Sequence, residues 1–245
     1  MRVHLAQKAE TKARSLFDLI EASGPLGSQP NLLARLTPED RRLVLSQVRA
    51  VKLRPKETLF HQGEWQIGIF IIETGQIRTF YTSPTGREIT LAYWKPGNFV
   101  GGPDVFGESL HMWSGMSVGS TKVFMLRSPD LRSLMLKIPE LALGVVEALV
   151  YKGKCFSSLI QMLGTRSVAE RLAQLLLTLV DSHGQADSSG GIAITKQFTH
   201  EDLAHMVGAS RVWVTTTLDQ LQRRGAIRIR KRQVVVMRPD LLVQA

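Results

Sequence analysis

The sequence has a single cysteine, Cys155, in 245 residues. One cysteine cannot form an intrachain disulfide, and it cannot supply the several thiolates that a cysteine-based zinc or iron–sulfur site requires. So few cysteines are typical of a cytoplasmic protein, and we expect a cytoplasmic location with no metal site.

Long apolar runs are also missing. No stretch approaches the roughly 18 consecutive apolar residues of a membrane span. Residues 1–20 are charged and amphipathic, with neither the apolar centre nor the small-residue cleavage site of a signal peptide. We therefore expect no membrane partner, and we interpret residues 1–30 as an N-terminal extension.

Motifs of catalysis are absent too. The chain has no P-loop, no dinucleotide-binding glycine motif and no ordered Ser–His–Asp set. A cupin-like enzyme would bind metal through clustered His and Glu, but His61 and Glu64 have no His-x-His partner nearby. We expect no enzyme activity and no catalytic residues.

Acidic residues are outnumbered by basic ones, 21 to 31. This excess of positive charge favours an anionic partner such as nucleic acid or anionic lipid, without choosing between them. Because 44% of the residues are hydrophobic, the chain can also form real cores.

Short β-rich runs fill the first half of the chain and are separated by glycine- and proline-containing turns. The predicted strands are 51–53, 58–61, 67–72, 76–82, 88–94, 116–117 and 121–126. Many short strands at regular spacing predict a small β-roll or barrel.

From about Pro139 the apolar period becomes helical. One stripe contains Leu141, Val145, Leu149, Phe156, Leu159 and Leu163. A stripe of this length predicts a dimerisation helix with these residues at the interface. The alternative is a core helix packed on its own β-roll, and one helix can do both on different faces. A shorter helix at 168–180 and a flexible glycine-rich loop at 181–191 follow.

The C-terminal part carries a helix-turn-helix pattern. Thr199 and Asp202 mark a helix start, Gly208 suits a tight turn with positive φ, and Ser210 is a good N-cap for the next helix. The buried positions of the two helices are predicted to be Leu203, Met206, Val207, Val214, Leu218 and Leu221.

This pattern predicts binding to double-stranded DNA, because the start of the second helix enters the major groove. Seven cations follow within residues 223–238, and segments 228–232 and 233–237 resemble a β-hairpin wing beside the phosphates. The predicted DNA-binding residues are Thr199, His200, Ser210, Arg211, Val212, Trp213, Thr215, Thr216, Arg223 and Lys231.

Local motifs in this order resemble the cyclic-AMP-receptor/FNR regulators from about residue 35 to 240. The motifs are LFHQGE at 59–64, GREI at 86–89, PGNFVG at 96–101, RSVAERL at 166–172 and VGASR at 207–211. The resemblance implies an α+β fold: a cyclic-nucleotide-binding-like β-roll (jelly roll), a long dimerisation helix and a winged helix-turn-helix. It implies domains at 31–137, 138–164 and 165–245, a homodimer on a palindromic operator, and contact with RNA polymerase.

The sequence departs from the cyclic-nucleotide branch of that family. That branch has Glu where this chain has Gly102, and an Arg-Ser or Arg-Thr pair at about Met112-Trp113. No arginine lies between Arg87 and Arg127. Because a buried phosphate without a cation is poorly compensated, we expect no dependence on cyclic AMP.

The remaining sensor residues are mostly apolar and aromatic. The predicted effector pocket contains Gly101, Gly102, Phe106, Glu108, Met112, Trp113, Phe156 and Ser157. Such a lining suits a small hydrophobic effector, and the alternative is a filled core with no ligand. No cofactor is expected. Haem sensing, with His111 as the candidate axial ligand, stays an alternative, as does a ligand-binding module acting through protein contacts.

The predicted reading helix departs from the family as well. The resemblance implies Ser-Arg-Glu-x-x-x-Arg, whereas this chain has Val212 for Glu and Thr216 for the second Arg. We expect a palindromic operator with half-sites about one helical turn apart and a core that differs from the family consensus. Loss of the Glu acceptor predicts discrimination at a cytosine weaker by roughly 1–3 kcal/mol.

Overall fold

A computed structural model describes residues 30–101, 104–106, 109–230 and 233–243. The predicted N-terminal extension lies outside the described residues except for Pro30. The described residues fall into two compact units, one within 30–86 and 91–157 and the other within 87–90 and 158–243.

The first unit is a β-roll with helices at its ends. Its strands are β1 (Arg49–Leu53), β2 (Thr58–Phe60), β3 (Gly68–Thr74), β4 (Ile77–Thr82), β5 (Glu88–Trp94), β6 (Phe99–Val100), β7 (Ser114–Ser117) and β8 (Thr121–Arg127). The first three residues of β5 are grouped with the second unit. They form two four-stranded sheets, β1-β8-β3-β6 and β2-β7-β4-β5. The predicted β-roll is confirmed, and β6, only two residues long, is an addition to the prediction.

Three helices accompany the roll. They are α1 (Pro38–Ser46), α2 (Ser128–Lys137) and the 27-residue α3 (Pro139–Thr165), which continues into the second unit. Alternate residues of β3, Ile69 and Ile71, are buried with Phe99 and with Leu126 of β8 in one core. The start of α3 closes this core through Leu141 and Val145.

This packing removes three residues from the predicted dimer interface. Leu141 is 0%, Val145 1% and Leu159 6% exposed within the single chain, so they are core residues of the protomer with no surface left for a partner. Leu149, Phe156 and Leu163 are half-buried. The start of the predicted stripe, Leu141 and Val145, therefore faces the core of the β-roll, with Leu149 packed against it.

The second unit is a winged helix-turn-helix. Its elements are α4 (Val168–His183), β9 (Gly184–Ala186), β10 (Ile192–Ile194), α5 (His200–Val207), α6 (Arg211–Arg223), β11 (Ile227–Arg230), β12 (Gln233–Val236) and α7 (Pro239–Val243). The four strands make one sheet in the order β11-β12-β10-β9. Residues 181–191, predicted as a loop, form the end of α4, strand β9 and the turn that leads into β10. The β9–β10 hairpin is held in the sheet because β10 also pairs with β12. Among the described helices, none is long and apolar enough to cross a bilayer.

Candidate DNA interface and sensor site

Helix α5 and its turn have the predicted geometry. The Thr199 hydroxyl accepts a hydrogen bond from the Asp202 backbone N–H at 3.0 Å, and the Asp202 carboxylate accepts one from the Thr199 N–H at 2.8 Å. The helix ends at Gly208, whose φ of 63° and ψ of 44° lie in the left-handed region that glycine adopts without strain. The turn thus fixes the direction in which α6 leaves.

Helix α6 separates an inward and an outward face. The Ser210 side chain caps it by accepting from the Trp213 N–H at 3.2 Å. Val214, Leu218 and Leu221 are buried, as predicted. Arg211, Val212, Trp213 and Thr216 are exposed, and Val212 is 74% exposed although it is apolar. A first turn this open presents a cation and apolar groups outward, as a major-groove reader requires.

The other predicted DNA contacts have separate positions. Thr199 and Ser210 both act as helix caps, and His200 Nδ1 lies 2.8 Å from the Thr215 hydroxyl, which ties the start of α5 to α6. Arg223 is exposed at the end of α6. Lys231 lies outside the described residues.

The wing contributes exposed positive charge through its first strand. Arg228 and Arg230 are exposed on β11. Arg238, by contrast, forms two hydrogen bonds with the Asp240 carboxylate, at 2.8 and 3.0 Å, which raises its pKa and lowers that of Asp240. One of the seven predicted cations is therefore already paired within the chain.

The structure brings together only part of the predicted effector pocket. Trp113 and Phe156 are in ring contact, with centroids 5.4 Å apart. Met112 is 62% and Phe106 43% exposed, and the Phe106 ring lies under the Arg132 guanidinium at 5.7 Å. Gly101 is buried at the end of β6, Ser157 is exposed, and Gly102 and Glu108 lie outside the described residues.

A buried cation in the first unit was missed by the sequence reasoning. Lys152 on α3 is 7% exposed, and its Nζ donates a hydrogen bond to the Phe99 carbonyl at 2.7 Å. Burial lowers its pKa to about 7. The sequence has no arginine between Arg87 and Arg127, whereas this lysine comes from a distant helix. Lys152 is far in sequence from β6, and no residue near it indicates that tertiary packing places it there.

His111, the haem candidate, has a structural environment. Its ring is buried and stacked on Phe60 with centroids 4.2 Å apart, and burial lowers its pKa, which favours the neutral ring. Its backbone N–H donates to the Glu64 carbonyl at 2.8 Å. Among the described residues, no group of three or more His, Cys, Asp or Glu side chains could hold a metal ion.

Comparisons with known proteins agree with both halves of this geometry. The family model of the cyclic nucleotide-binding domain matches residues 50–137, and that of the Crp-like helix-turn-helix domain matches residues 170–245. A CRP-like cAMP-activated global transcriptional regulator of Mycobacterium tuberculosis is 25% identical over 218 residues, covering 89% of this chain and 93% of that protein. The cyclic AMP receptor protein of Thermus thermophilus is 26% identical over 207 residues, 84% of this chain and 92% of that protein.

Solved structures show the same fold. The c-di-GMP-responsive global regulator CLP of Xanthomonas campestris aligns with a TM-score of 0.72 at 18% identity, covering 82% of this chain and 99% of that one. A regulator of the crp/fnr family from Eubacterium rectale aligns with a TM-score of 0.69 at 19% identity, covering 87% and 98%. With its cyclic-nucleotide-binding-like roll and its Crp-like helix-turn-helix, the chain belongs to the Crp/Fnr family of transcription regulators.

Proposed function

We propose that the protein acts as a homodimer that binds a palindromic operator through α6 and does so without cyclic AMP. The observation that carries this proposal is the outward face of α6, where Arg211 and Val212 are exposed directly after a capped helix start. Arginine can donate two hydrogen bonds to guanine O6 and N7, and a valine methyl can pack on thymine. A regulator that binds an operator has to reach the bacterial chromosome, so we propose a cytoplasmic location.

The dimer seam follows from residues of α3 that the protomer leaves exposed. Leu143 is 51%, Val146 53%, Val150 53% and Ile160 70% exposed. With Gly153 and Ser157 between them, these positions alternate in steps of three and four residues, the spacing of a two-stranded coiled-coil seam. A side chain added at Gly153 would meet open space, so a partner helix can approach closely there. This seam replaces the stripe that the sequence favoured.

A parallel seam along α3 relates the two reading helices by a two-fold axis. A two-fold dimer of helix-turn-helix units reads two half-sites about one DNA turn, roughly 34 Å, apart. The operator is therefore expected to be an inverted repeat, and contact with RNA polymerase from such a site would make the protein a regulator of transcription initiation.

Independence from cyclic AMP rests on the residues at the expected phosphate position. Met112 is largely exposed there, and Trp113 is in contact with Phe156. The buried Lys152 already donates to the Phe99 carbonyl. The stacked, buried His111 ring supports a structural role, so we propose no haem or other cofactor. A small apolar effector against the Trp113–Phe156 pair is the second candidate.

The test is selection of random duplex DNA by the purified full chain, with and without cyclic AMP. We expect the same palindrome in both selections. An Arg211→Ala variant is expected to bind the selected operator about tenfold or more weakly, as loss of a bidentate base contact predicts. Affinity of the variant within twofold would contradict the role of Arg211. A palindrome that appears only with cyclic AMP would overturn the proposed independence.

A further inference from the structure

Three consecutive threonines of α6 have a shared hydrogen-bonding pattern. The hydroxyls of Thr215, Thr216 and Thr217 lie 2.9, 3.0 and 2.9 Å from the backbone carbonyls of the residues four positions earlier. A carbonyl oxygen can only accept, so the hydroxyl is the donor in each of these contacts. None of the three hydroxyls keeps a proton for DNA.

The three threonines differ in what their oxygens can still accept. Thr217 is only 2% exposed and faces the core. Thr215 is half-buried, and its oxygen also meets His200 Nδ1 at 2.8 Å. The Thr215 hydroxyl is thus engaged by both the Arg211 carbonyl and the His200 ring. Thr216 is exposed, so its oxygen is the one left open to accept from outside.

Val212 completes the surface next to Thr216. The two residues are four positions apart, so they are neighbours on one face of α6. Val212 is 74% exposed and offers two methyl groups, and Thr216 adds one more. The patch formed by Val212 and Thr216 therefore presents methyl groups and one hydrogen-bond acceptor, with no donor.

We propose that this Val212–Thr216 patch reads an A·T base pair in each half-site, with the Thr216 oxygen accepting from the adenine N6 amino group and the methyl groups packing on the thymine C5 methyl. In the major groove an A·T pair offers both groups, whereas G·C offers an amino donor without a methyl. The inference rests on the proposed operator binding and deepens it. The resemblance to the family implied a Glu acceptor at the position of Val212, which this chain lacks. The inference places a hydrogen-bond acceptor one helical turn later, at Thr216.

The experiment compares the wild-type chain with three variants on the operator that wild type selects. Thr216→Val keeps the shape and removes the oxygen, Thr216→Ser keeps the oxygen and removes the methyl, and Val212→Ala removes two methyls. Replacing one thymine by deoxyuracil, which removes only the C5 methyl, should weaken wild-type binding about fourfold per half-site. The same replacement should cost Val212→Ala much less, because its methyls are already gone.

A second operator probe separates the two contacts. Changing the pair to G·C should weaken wild-type binding, and replacing its cytosine by 5-methylcytosine should restore only the part that the methyl contributes, because guanine O6, an acceptor, replaces the adenine N6 amino group. In a new selection, Thr216→Val should prefer A·T less strongly at this position, because only its methyl contacts remain, and Thr216→Ser should keep the contact with the adenine amino group.

The outcomes separate the inference from the proposed function. A wild-type chain that enriches no sequence would overturn both. A palindrome that is bound equally with thymine or deoxyuracil at every position, and that Thr216→Val selects unchanged, would overturn the inference alone. Equal losses with deoxyuracil for wild type and Val212→Ala would also contradict it, because another residue would then contact the methyl.

Discussion

The ammonium of Lys152 lies 3.4 Å from the centroid of the Trp94 indole ring, inside the first unit. A second aromatic face, that of Phe99, is 4.8 Å from the same nitrogen, and the Phe99 carbonyl accepts its hydrogen bond. Among the described residues, no carboxylate forms an ion pair with it. Two π faces and one carbonyl compensate the charge only in part, so burial lowers the pKa of Lys152 to about 7.

We expect Lys152→Met to stabilise the protein and to remove a pH dependence. The unfolded chain keeps this lysine protonated up to about pH 10, whereas the folded chain releases the proton near pH 7. The free energy of unfolding of the wild type therefore rises with pH between those limits and carries the full penalty below pH 7. The variant should be more stable at pH 6 by roughly 1–4 kcal/mol, and the difference should shrink toward pH 10.

Urea unfolding at fixed protein concentration and at pH 6, 8 and 9.5 measures this effect. The matched control is Lys154→Met on the same helix, where the side chain is exposed and little change is expected. A Lys152→Met protein that is less stable at pH 6, with an unchanged pH slope, would mean that the charge itself is needed in the folded state.

The dimer seam gives a second prediction. Val150→Glu puts a like charge from each protomer at the centre of the exposed stripe of α3, where Val150 is 53% exposed. The variant should fold and sediment as a monomer at micromolar concentration, and operator affinity should fall by more than tenfold because two half-sites are no longer read together. Leu136→Glu, at an 82% exposed apolar residue of α2 away from the stripe, is the control and should stay dimeric. A dimeric Val150→Glu would contradict the seam.

The helix-turn-helix could be predicted from the sequence because its signals are local. Thr199 and Ser210 cap the helix that follows each of them, and Gly208 adopts the left-handed conformation of the turn. The residue types at these positions are therefore enough to predict where the helices begin and end. The turn geometry and the buried positions of both helices follow from these signals and from the helical period.

The dimer face and the buried cation could not be predicted in the same way. Helix α3 is apolar on two faces, and only the packed β-roll decides that Leu141 points inward while Val150 stays exposed. Lys152 lies 53 residues from its partner Phe99, so nothing near it in sequence indicates burial. The hairpin at β9 and β10 was missed because its second partner, β12, comes from the far end of the chain.

A third prediction concerns the cap that starts α4. The Ser167 hydroxyl accepts from the Glu170 N–H at 3.2 Å, and the Glu170 carboxylate accepts from the Ser167 N–H at 2.6 Å. Hydrogen bonding to the Ser167 side chain, and secondly to its backbone N–H, lowers the pKa of Glu170. Ser167→Ala should lower the free energy of unfolding by about 1 kcal/mol. Ser182→Ala is the control, because the Ser182 hydroxyl donates a hydrogen bond to the Thr178 carbonyl within the helix and caps no helix end. Equal effects in urea unfolding would show that the cap contributes nothing.

The wing offers a prediction about salt. Arg228 is exposed on β11, whereas Arg238 is held by the Asp240 carboxylate at 2.8 Å. If Arg228 neutralises a phosphate, Arg228→Gln should weaken binding to operator and to random DNA by a similar factor. It should also flatten the plot of log affinity against log salt concentration by about 0.9 for each chain of the dimer. Arg238→Gln removes the same charge from a residue that already has an internal partner, so its slope should stay near that of wild type.

Fluorescence anisotropy with labelled duplex at four or five salt concentrations gives both slopes. An unchanged slope for Arg228→Gln would remove the wing strand from the DNA contact, and equal flattening by both variants would mean that DNA displaces Asp240 from Arg238.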